Sequence, residues 1–372
     1  MRAHFASWLF AAGLCGLGVL PGLAASQDLR AEIAGKRTAI LSAIAQLPAQ
    51  KKTLVGVQVN EYEVYIDCTS ADRLKEQTGK RPAVLGLELM NSIAYPPYAS
   101  YLIDRAVTQT AAGGLVSMSW HERNPVEVCQ RGEYFECTKK AMSPETLRAV
   151  LTPGTKENKL WAADVHAMAK VLHKLREAGV VVLLRPYHEM NGGWFWWGKQ
   201  EALPELWDAL YDELVAREKL DNLIWIWSVD RDAPDAARYF PKRHKPDIVG
   251  TDMYENDANT PKFAAAKANL TKLGGAAPFA ITETGQAPGA KVLDDLNPAW
   301  VLLWGDHLNV NWTWNGDCPW CNKPEQVSAF IKLPRIITLD EMPAALKTTV
   351  AKNVANPHPL HQPNPVCPAK LH

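Results

Sequence analysis

This chain of 372 residues lacks an excess of charge of either sign, because 40 Lys and Arg balance 40 Asp and Glu. We therefore expect no basic face that would attract nucleic acid or an anionic membrane. Nucleotide-binding glycine motifs are missing too, because no G-x-G-x-x-G or P-loop follows any early strand-like segment. These absences argue against nucleic acid as a partner and against a nucleotide cofactor.

Long apolar runs are also scarce. The run Phe5–Leu20 follows Arg2 and is too short for a comfortable membrane span. Small residues, including Ala24 and Ala25, come next. This pattern predicts a signal peptide over residues 1–25 that is cleaved near Ala24 or Ala25, and hence a secreted chain with no membrane contact after cleavage.

A metal-ligand motif of standard spacing is missing as well. The segment His188–Gly192 begins like the zinc-protease motif H-E-x-x-H, but Asn191 and Gly192 stand where its second histidine should follow. We expect no metal and no other cofactor.

Cysteines are few, and one of the seven, Cys15, lies within the predicted signal peptide. The other six are Cys68, Cys129, Cys137, Cys318, Cys321 and Cys367. An even number in an exported chain favours structural disulfides. Cys129 and Cys137 would close a short loop and are the favoured pair, whereas the other pairings stay open. The C-x-x-C of Cys318 and Cys321 could hold zinc or act in redox chemistry, but the histidines downstream match no zinc module, so a disulfide is favoured here too.

Short apolar, β-branched runs recur along the chain, and longer amphipathic stretches separate them. The runs are Leu54–Val59, Ala83–Leu87, Leu115–Trp120, Val180–Arg185, Leu223–Trp227, Ile248–Tyr254, Phe279–Glu283 and Val310–Trp314. Several are apolar on both faces, as parallel strands buried between two layers should be. Eightfold alternation of strand and helix predicts a single-domain α/β protein with a (β/α)₈ TIM barrel; a doubly wound open sheet is the alternative.

The rest of the chain is predicted from composition. Residues 26–52 read as a helical extension before the barrel, and residues 53–355 hold the barrel itself. Residues 356–372 contain five prolines and form a tail.

Two carboxylates lie where a barrel places its catalytic groups, at the carboxyl ends of strands. Glu189 follows the fourth predicted strand and Glu283 ends the seventh. Across a small barrel they can face one glycosidic bond. Retaining glycosidases use such a pair, in which one group protonates the leaving oxygen and the other attacks the anomeric carbon.

The two groups must hold different protonation states near neutral pH. Trp194 and its aromatic neighbours can desolvate Glu189 and raise its pKa, whereas Tyr254 can donate a hydrogen bond that keeps Glu283 ionised. The alternative is that both carboxylates are structural partners of Arg185 and His188.

A family resemblance supports the catalytic interpretation. The segment RPYHEMNGGWFWWG, Arg185–Gly198, resembles the acid/base signature of glycoside hydrolase family 26, the β-mannanases of a large clan of retaining (β/α)₈ enzymes. SWHERNP (Ser119–Pro125), DIVGTDMY (Asp247–Tyr254) and ITETG (Ile281–Gly285) agree with the family in the same order. The likeness runs from about residue 53 to about residue 315.

The resemblance implies roles for the two acids and for two residues beside them. Glu189 matches the family's acid/base and Glu283 its nucleophile. His188 would help hold the sugar near the nucleophile, and Tyr254 matches the tyrosine that positions the nucleophile.

It also implies three substrate contacts. Trp194 matches the tryptophan beside the cleavage point, and His121 matches a histidine that contacts sugar on the non-reducing side. Trp314 matches the tryptophan of strand 8 that floors the central subsite, although Trp312 lies on the same strand face and is the alternative.

Departures from the family concern the loops. The strand ends at Gln58–Asn60 and Glu88–Met90 match only loosely, the loop with Cys129 and Cys137 does not align, and the exit at Asn315–Cys318 is unusual. Since such loops build distal subsites, they affect substrate identity more than chemistry.

The sequence as a whole predicts a monomeric, endo-acting retaining glycoside hydrolase. Its substrate would be a polysaccharide, namely β-1,4-mannan, galactomannan or glucomannan. The alternatives are a family relative acting on β-1,3-xylan or mixed-linkage β-glucan, and a non-catalytic glycan-binding barrel.

Overall fold

The computed structural model describes residues 21–65, 68–93, 95–130, 132–308, 318–351 and 367. The predicted signal peptide up to residue 20 and most of the predicted tail lie outside them. The strands are β1 Thr53–Gln58, β2 Val84–Glu88, β3 Leu115–Trp120, β4 Val182–Pro186, β5 Leu223–Asp230, β6 Ile248–Met253, β7 Phe279–Thr284, β8 Trp300–Leu303 and β9 Ile336–Ile337. The α-helices are α1 Pro21–Gln46, α2 Ser70–Thr78, α3 Pro96–Ala111, α4 Tyr134–Thr138, α5 Pro144–Leu151, α6 Lys156–Glu177, α7 Leu203–Tyr211, α8 Lys262–Gly274, α9 Ala290–Leu296 and α10 Pro324–Ile331.

Strands β1 to β8 close into a parallel barrel. Each pairs with its neighbours in chain order, and β1 pairs with both β2 and β8, with Gly56 opposite Val84 and Leu54 opposite Trp300. Every residue of these strands is buried, because one face fills the barrel and the other packs under the helices. The predicted (β/α)₈ barrel is confirmed.

The prediction for strand 8 is wrong. Val310–Trp314 was expected to close the barrel, but the strand that lies between β7 and β1 is Trp300–Leu303. This run is only four residues long and apolar throughout, so it has no alternation that would mark it as a strand. Trp300–Leu303 forms a strand because it pairs with β7 on one side and with β1 on the other, and only closure of the barrel provides both partners. Residues 309–317 lie outside the described part of the chain.

Helix α1 covers most of the predicted N-terminal extension and packs against the amino-terminal end of the barrel. Ile40 and Ile44 belong to the same buried cluster as the inward-facing strand residues Leu54 and Val84. Arg37 fixes the helix by donating to the Leu223 carbonyl over 2.5 Å and to Asp247 Oδ2 over 2.6 Å. This end of the barrel is therefore closed, which leaves the carboxyl ends of the strands to form a site.

Three disulfides tie the loops of the carboxyl end. The predicted pair Cys129–Cys137 is present, as is the disulfide within the C-x-x-C of Cys318 and Cys321. Cys68, which lies just before α2, pairs with Cys367. Among the helices of the described residues, none has both the length and the apolar character needed to cross a bilayer.

Candidate active site

A cavity of about 580 Å³ opens at the carboxyl ends of the strands. Its wall includes a residue at or near the end of each of the eight barrel strands: Asn60, Glu88, His121, Glu189, Asp230, Tyr254, Glu283 and Trp304. Parallel strands all end on the same side, so side chains far apart in sequence converge there.

Glu283 is held by two donors. Its Oε1 accepts a hydrogen bond from Arg185 Nη2, and its Oε2 accepts one from the Tyr254 hydroxyl over 2.6 Å. Burial raises the pKa of Tyr254 well above 10, and the charge on Glu283 raises it further, so this hydroxyl keeps its proton and remains a donor. Both contacts fix the orientation of the carboxyl group.

Glu189 is held by backbone geometry rather than by a cation. It adopts a left-handed backbone with φ +52°, which costs energy for a residue with a Cβ. Its amide donates to the Ser228 carbonyl over 3.0 Å, and its own carbonyl accepts from Gly192 over 2.8 Å. This tight turn projects the carboxyl group from the end of β4 into the cavity.

Trp194 folds back over that turn. Its indole Nε1 donates to Glu189 Oε2 over 2.8 Å, and 39% of the residue stays exposed at the cavity. A Cβ at Gly192 would lie 2.4 Å from the indole, so glycine is required for this approach. The ring thus contacts the acid on one side and leaves a surface for a ligand.

The two carboxyl groups have contrasting electrostatic surroundings. Burial raises the pKa of Glu189 well above 4.5, and the nearby carboxylates of Asp252, Glu283 and Asp230 raise it further. Desolvation, the cause expected from the sequence, is the largest of these effects, whereas the hydrogen bond from the Trp194 indole lowers the pKa. Glu189 is accordingly the protonated acid of the pair, whereas Glu283 has Arg185 as a counterion.

The distance between the acids matches one of the two glycosidase geometries. One carboxylate oxygen each from Glu189, Asp252 and Glu283 lies within 4.8 Å of the other two. Carboxyl groups about 5 Å apart suit direct attack on the sugar, whereas about 6.5–9.5 Å is needed to fit a water between acid and base. Arg185 also donates to Asp252 over 2.9 Å, and this cation balances part of the negative charge.

A hydrogen-bonded chain crosses the cavity floor from β2 to β4. Glu88 Oε2 lies 2.6 Å from His121 Nδ1, and His121 Nε2 lies 3.0 Å from His188 Nε2. Burial lowers the pKa of both rings, but for His121 the charge and the hydrogen bond of Glu88, together with the charge of Glu283, outweigh burial, so its pKa is raised. The pKa of His188 falls well below 6.5, since Arg185 and His121 add to the effect of burial. These opposite shifts favour a charged His121 as the donor and a neutral His188 as the acceptor.

The structure brings most of the predicted site residues around this cavity: His121, His188, Glu189, Trp194, Tyr254 and Glu283. Trp314 lies outside the described residues. Trp304 comes directly after β8 and lines the cavity, with its ring centroid 6.4 Å from that of Tyr254.

Sequence reasoning gave no role to two buried acids. Glu88 ends β2 and orients His121, and Asp252 lies in β6 beside Arg185. The signal was available, because a charged residue at the carboxyl end of an apolar strand is costly unless it is paired.

The model of the family described as glycosyl hydrolase family 26 matches residues 33–328, which is most of the chain. The chain belongs to glycosyl hydrolase family 26. The expected family resemblance is confirmed.

Relatives found by sequence support the family assignment. A mannan endo-1,4-beta-mannosidase of Thermothelomyces thermophilus is 31% identical over 306 residues, which are 78% of this chain and 58% of that protein. One from Bacillus subtilis is 30% identical over 263 residues, or 66% of this chain and 70% of that protein. The chain thus spans little more than half the length of the first relative.

Solved structures of the family share the fold. GH26A from a Muricauda species superposes with a TM-score of 0.71 and 30% identity, covering 83% of this chain and 97% of that one. The GH26-CBM35 beta-(1,4)-mannanase of Podospora anserina superposes with a TM-score of 0.67 and 27% identity, covering 82% of this chain and 67% of that one.

Proposed function

We propose that this family 26 barrel is an endo-acting 1,4-β-mannanase that cleaves mannan, galactomannan or glucomannan with retention of configuration. The observation that carries the chemistry is the pair Glu189 and Glu283, whose oxygens approach within 4.8 Å in one cavity. Burial and nearby carboxylates raise the pKa of Glu189, whereas Glu283 is paired with Arg185. The relatives named above, which are mannan endo-1,4-beta-mannosidases, support mannan as the substrate.

In the first step Glu283 attacks the anomeric carbon and Glu189 gives its proton to the leaving glycosidic oxygen. The C–O bond breaks, the aglycone leaves as an alcohol, and a glycosyl ester forms on Glu283. Arg185 and Tyr254 hold the attacking oxygens in place, which lowers the cost of reaching the attack geometry.

In the second step Glu189, now ionised, takes a proton from a water molecule that attacks the same carbon. The ester bond breaks, Glu283 recovers its charge, and the sugar leaves with its original configuration. Loss of the first proton leaves Glu189 as a base, so one residue serves both steps.

The proposed sugar contacts are residues that line the cavity. His121, His188 and Trp194 line it together with the acids, and Trp314 stays a proposed contact from sequence alone. We propose further that the protein is exported through an N-terminal signal peptide over residues 1–25, acts as a monomer, and has an extracellular or periplasmic polysaccharide as its partner.

The test is hydrolysis of mannan, β-1,3-xylan and mixed-linkage β-glucan by the purified chain, with reducing ends counted and product sizes followed over time. An endo-mannanase releases mixed manno-oligosaccharides early from mannan. Proton NMR of the first products should show the β-anomer before mutarotation. Initial release of the α-anomer, or hydrolysis of xylan or glucan with mannan untouched, would overturn the proposal.

A further inference from the structure

The side chain of Asn60 is buried without a partner. Only 2% of the residue is exposed, and neither its Oδ1 nor its Nδ2 has a hydrogen-bond partner among the described residues. A buried amide normally satisfies both groups, because leaving either one unpaired costs free energy of folding. Two unpaired groups on one side chain therefore require an explanation beyond the contacts among the described residues.

Local structure does not provide that explanation. The Asn60 carbonyl accepts a hydrogen bond from the Glu63 amide over 3.0 Å, and this starts the short 3₁₀ helix Glu61–Tyr65. That contact belongs to the backbone and is available to any residue type. The turn after β1 therefore does not need an amide side chain.

The position of Asn60 points to a ligand. It lines the cavity that contains Glu189 and Glu283, on the part of the wall formed by the residues after β1, β2 and β8. In a closed eight-stranded barrel this part of the wall faces away from the turn after β4, which carries Trp194. Glu189 protonates the leaving group beside Trp194. The opposite part of the wall, which carries Asn60, therefore faces the glycone, the part of the substrate on the other side of the cleaved bond.

We infer that Asn60 binds a pair of adjacent hydroxyls on a sugar of the glycone side, and that it helps determine which pyranose the enzyme accepts. An amide presents one acceptor and one donor side by side, which matches two neighbouring hydroxyls that donate and accept in turn. The carboxylates of Glu61 and Asp306 line the same wall and add hydroxyl acceptors. The inference rests on the proposed glycosidase function and adds a substrate contact to it.

The test replaces Asn60 by leucine, which is close to it in size and has no polar atoms. Asn60→Leu should lower kcat/KM on mannohexaose roughly ten- to a hundredfold, because two hydrogen bonds to the substrate are lost. Its Tm should stay equal or rise, because an unsatisfied buried amide has been removed. Calorimetry of mannotetraose binding should show a similar loss when Asn60→Leu is added to Glu283→Ala.

Asn222 offers a matched control at the other end of the barrel. It is a fully buried amide with an unpaired Oδ1 and lies just before β5. Asn222→Leu should lower Tm, because it loses a hydrogen bond to the Val180 carbonyl, and it should leave kcat/KM of the folded enzyme unchanged.

This design separates a failure of the proposed substrate from a failure of the proposed role of Asn60. The glycan that the wild type hydrolyses fastest is established first, and the variants are compared on that glycan, so failure on mannan counts against the proposed substrate alone. Wild-type kcat/KM in Asn60→Leu, whether or not Tm changes, would overturn the role of Asn60.

Discussion

The Nε2 atoms of His121 and His188 lie 3.0 Å apart, so one ring must donate and the other must accept. Glu88 decides which, because its carboxylate holds the proton of His121 Nδ1 and favours the charged ring. Neutral His188 then carries its own proton on Nδ1, which is buried and has no partner among the described residues. One acid at the end of β2 thus fixes the hydrogen-bonding direction of the residue that precedes the acid/base.

Replacing Glu88 by glutamine tests this relationship. Loss of the negative charge should lower the pKa of His121, because burial then acts without its main opposing effect. Histidine NMR titration should show His121 losing its proton at a lower pH, and kcat/KM should fall by about tenfold. An unchanged His121 pKa in Glu88→Gln would mean that another group holds the charge.

Glu283→Ala should abolish turnover without disturbing the fold or glycan binding, since it removes the attacking oxygen. With an activated aryl glycoside, added azide should restore activity by entering the vacated space and should give a product of inverted configuration. The measurement is the rate with and without azide, and the anomer by NMR. Near-wild-type rates in Glu283→Ala would exclude it as the nucleophile.

Glu189→Ala should affect substrates unequally. Hydrolysis of the polysaccharide should nearly stop, because its leaving oxygen needs a proton, whereas a dinitrophenyl glycoside should still glycosylate the enzyme. Burst kinetics on the aryl substrate measure that step. Equal losses on both substrates would show that Glu189 is not the acid.

The pH profile should report the proton on Glu189. Its pKa is raised, so the acid form survives to higher pH and kcat/KM should fall as the pH rises through that pKa. Burial raises the pKa of Asp252 to about 7, so Asp252 carries a negative charge at pH values above that. Asp252→Asn removes that charge and should move the alkaline limb to lower pH by roughly half a unit to one unit.

Asp230→Asn is the control for this shift. Asp230 raises the pKa of Glu189 less than Asp252 does, so its alkaline limb should move in the same direction by a smaller amount. A limb that stays in place in both variants would mean that Glu189 is not the group that titrates.

The tryptophan that follows β8 should serve as a stacking surface for sugar. Trp304→Ala should cost about 3 kcal/mol in kcat/KM, roughly two orders of magnitude, as truncation of a packed aromatic does. The sequence predicts this role for Trp314. Trp314→Ala should therefore be assayed beside Trp304→Ala, with Tm measured on the same preparations. Lower Tm with full specific activity in Trp304→Ala would make it a packing residue only.

Much of the site could be read from single segments. Arg185–Gly198 carries the acid, its glycine turn and Trp194 within one short stretch, so the geometry around Glu189 is largely local. The pair Cys129–Cys137 was accessible for the same reason, since few residues separate its members. Strand 8 was missed because Trp300–Leu303 is too short to show a period.

The sequence by itself determined the barrel and the identity of its two facing acids, because apolar periodicity and strand-end motifs are properties of neighbouring residues. Only the tertiary structure showed that the carboxylates of Asp252 and Asp230, which come from other strands, add to the raised pKa of Glu189. It alone decided that Glu88 charges His121 and that the amide of Asn60 is buried without a partner. Desolvation and Coulomb interactions depend on distance in space, and chain order does not specify that distance until the barrel closes.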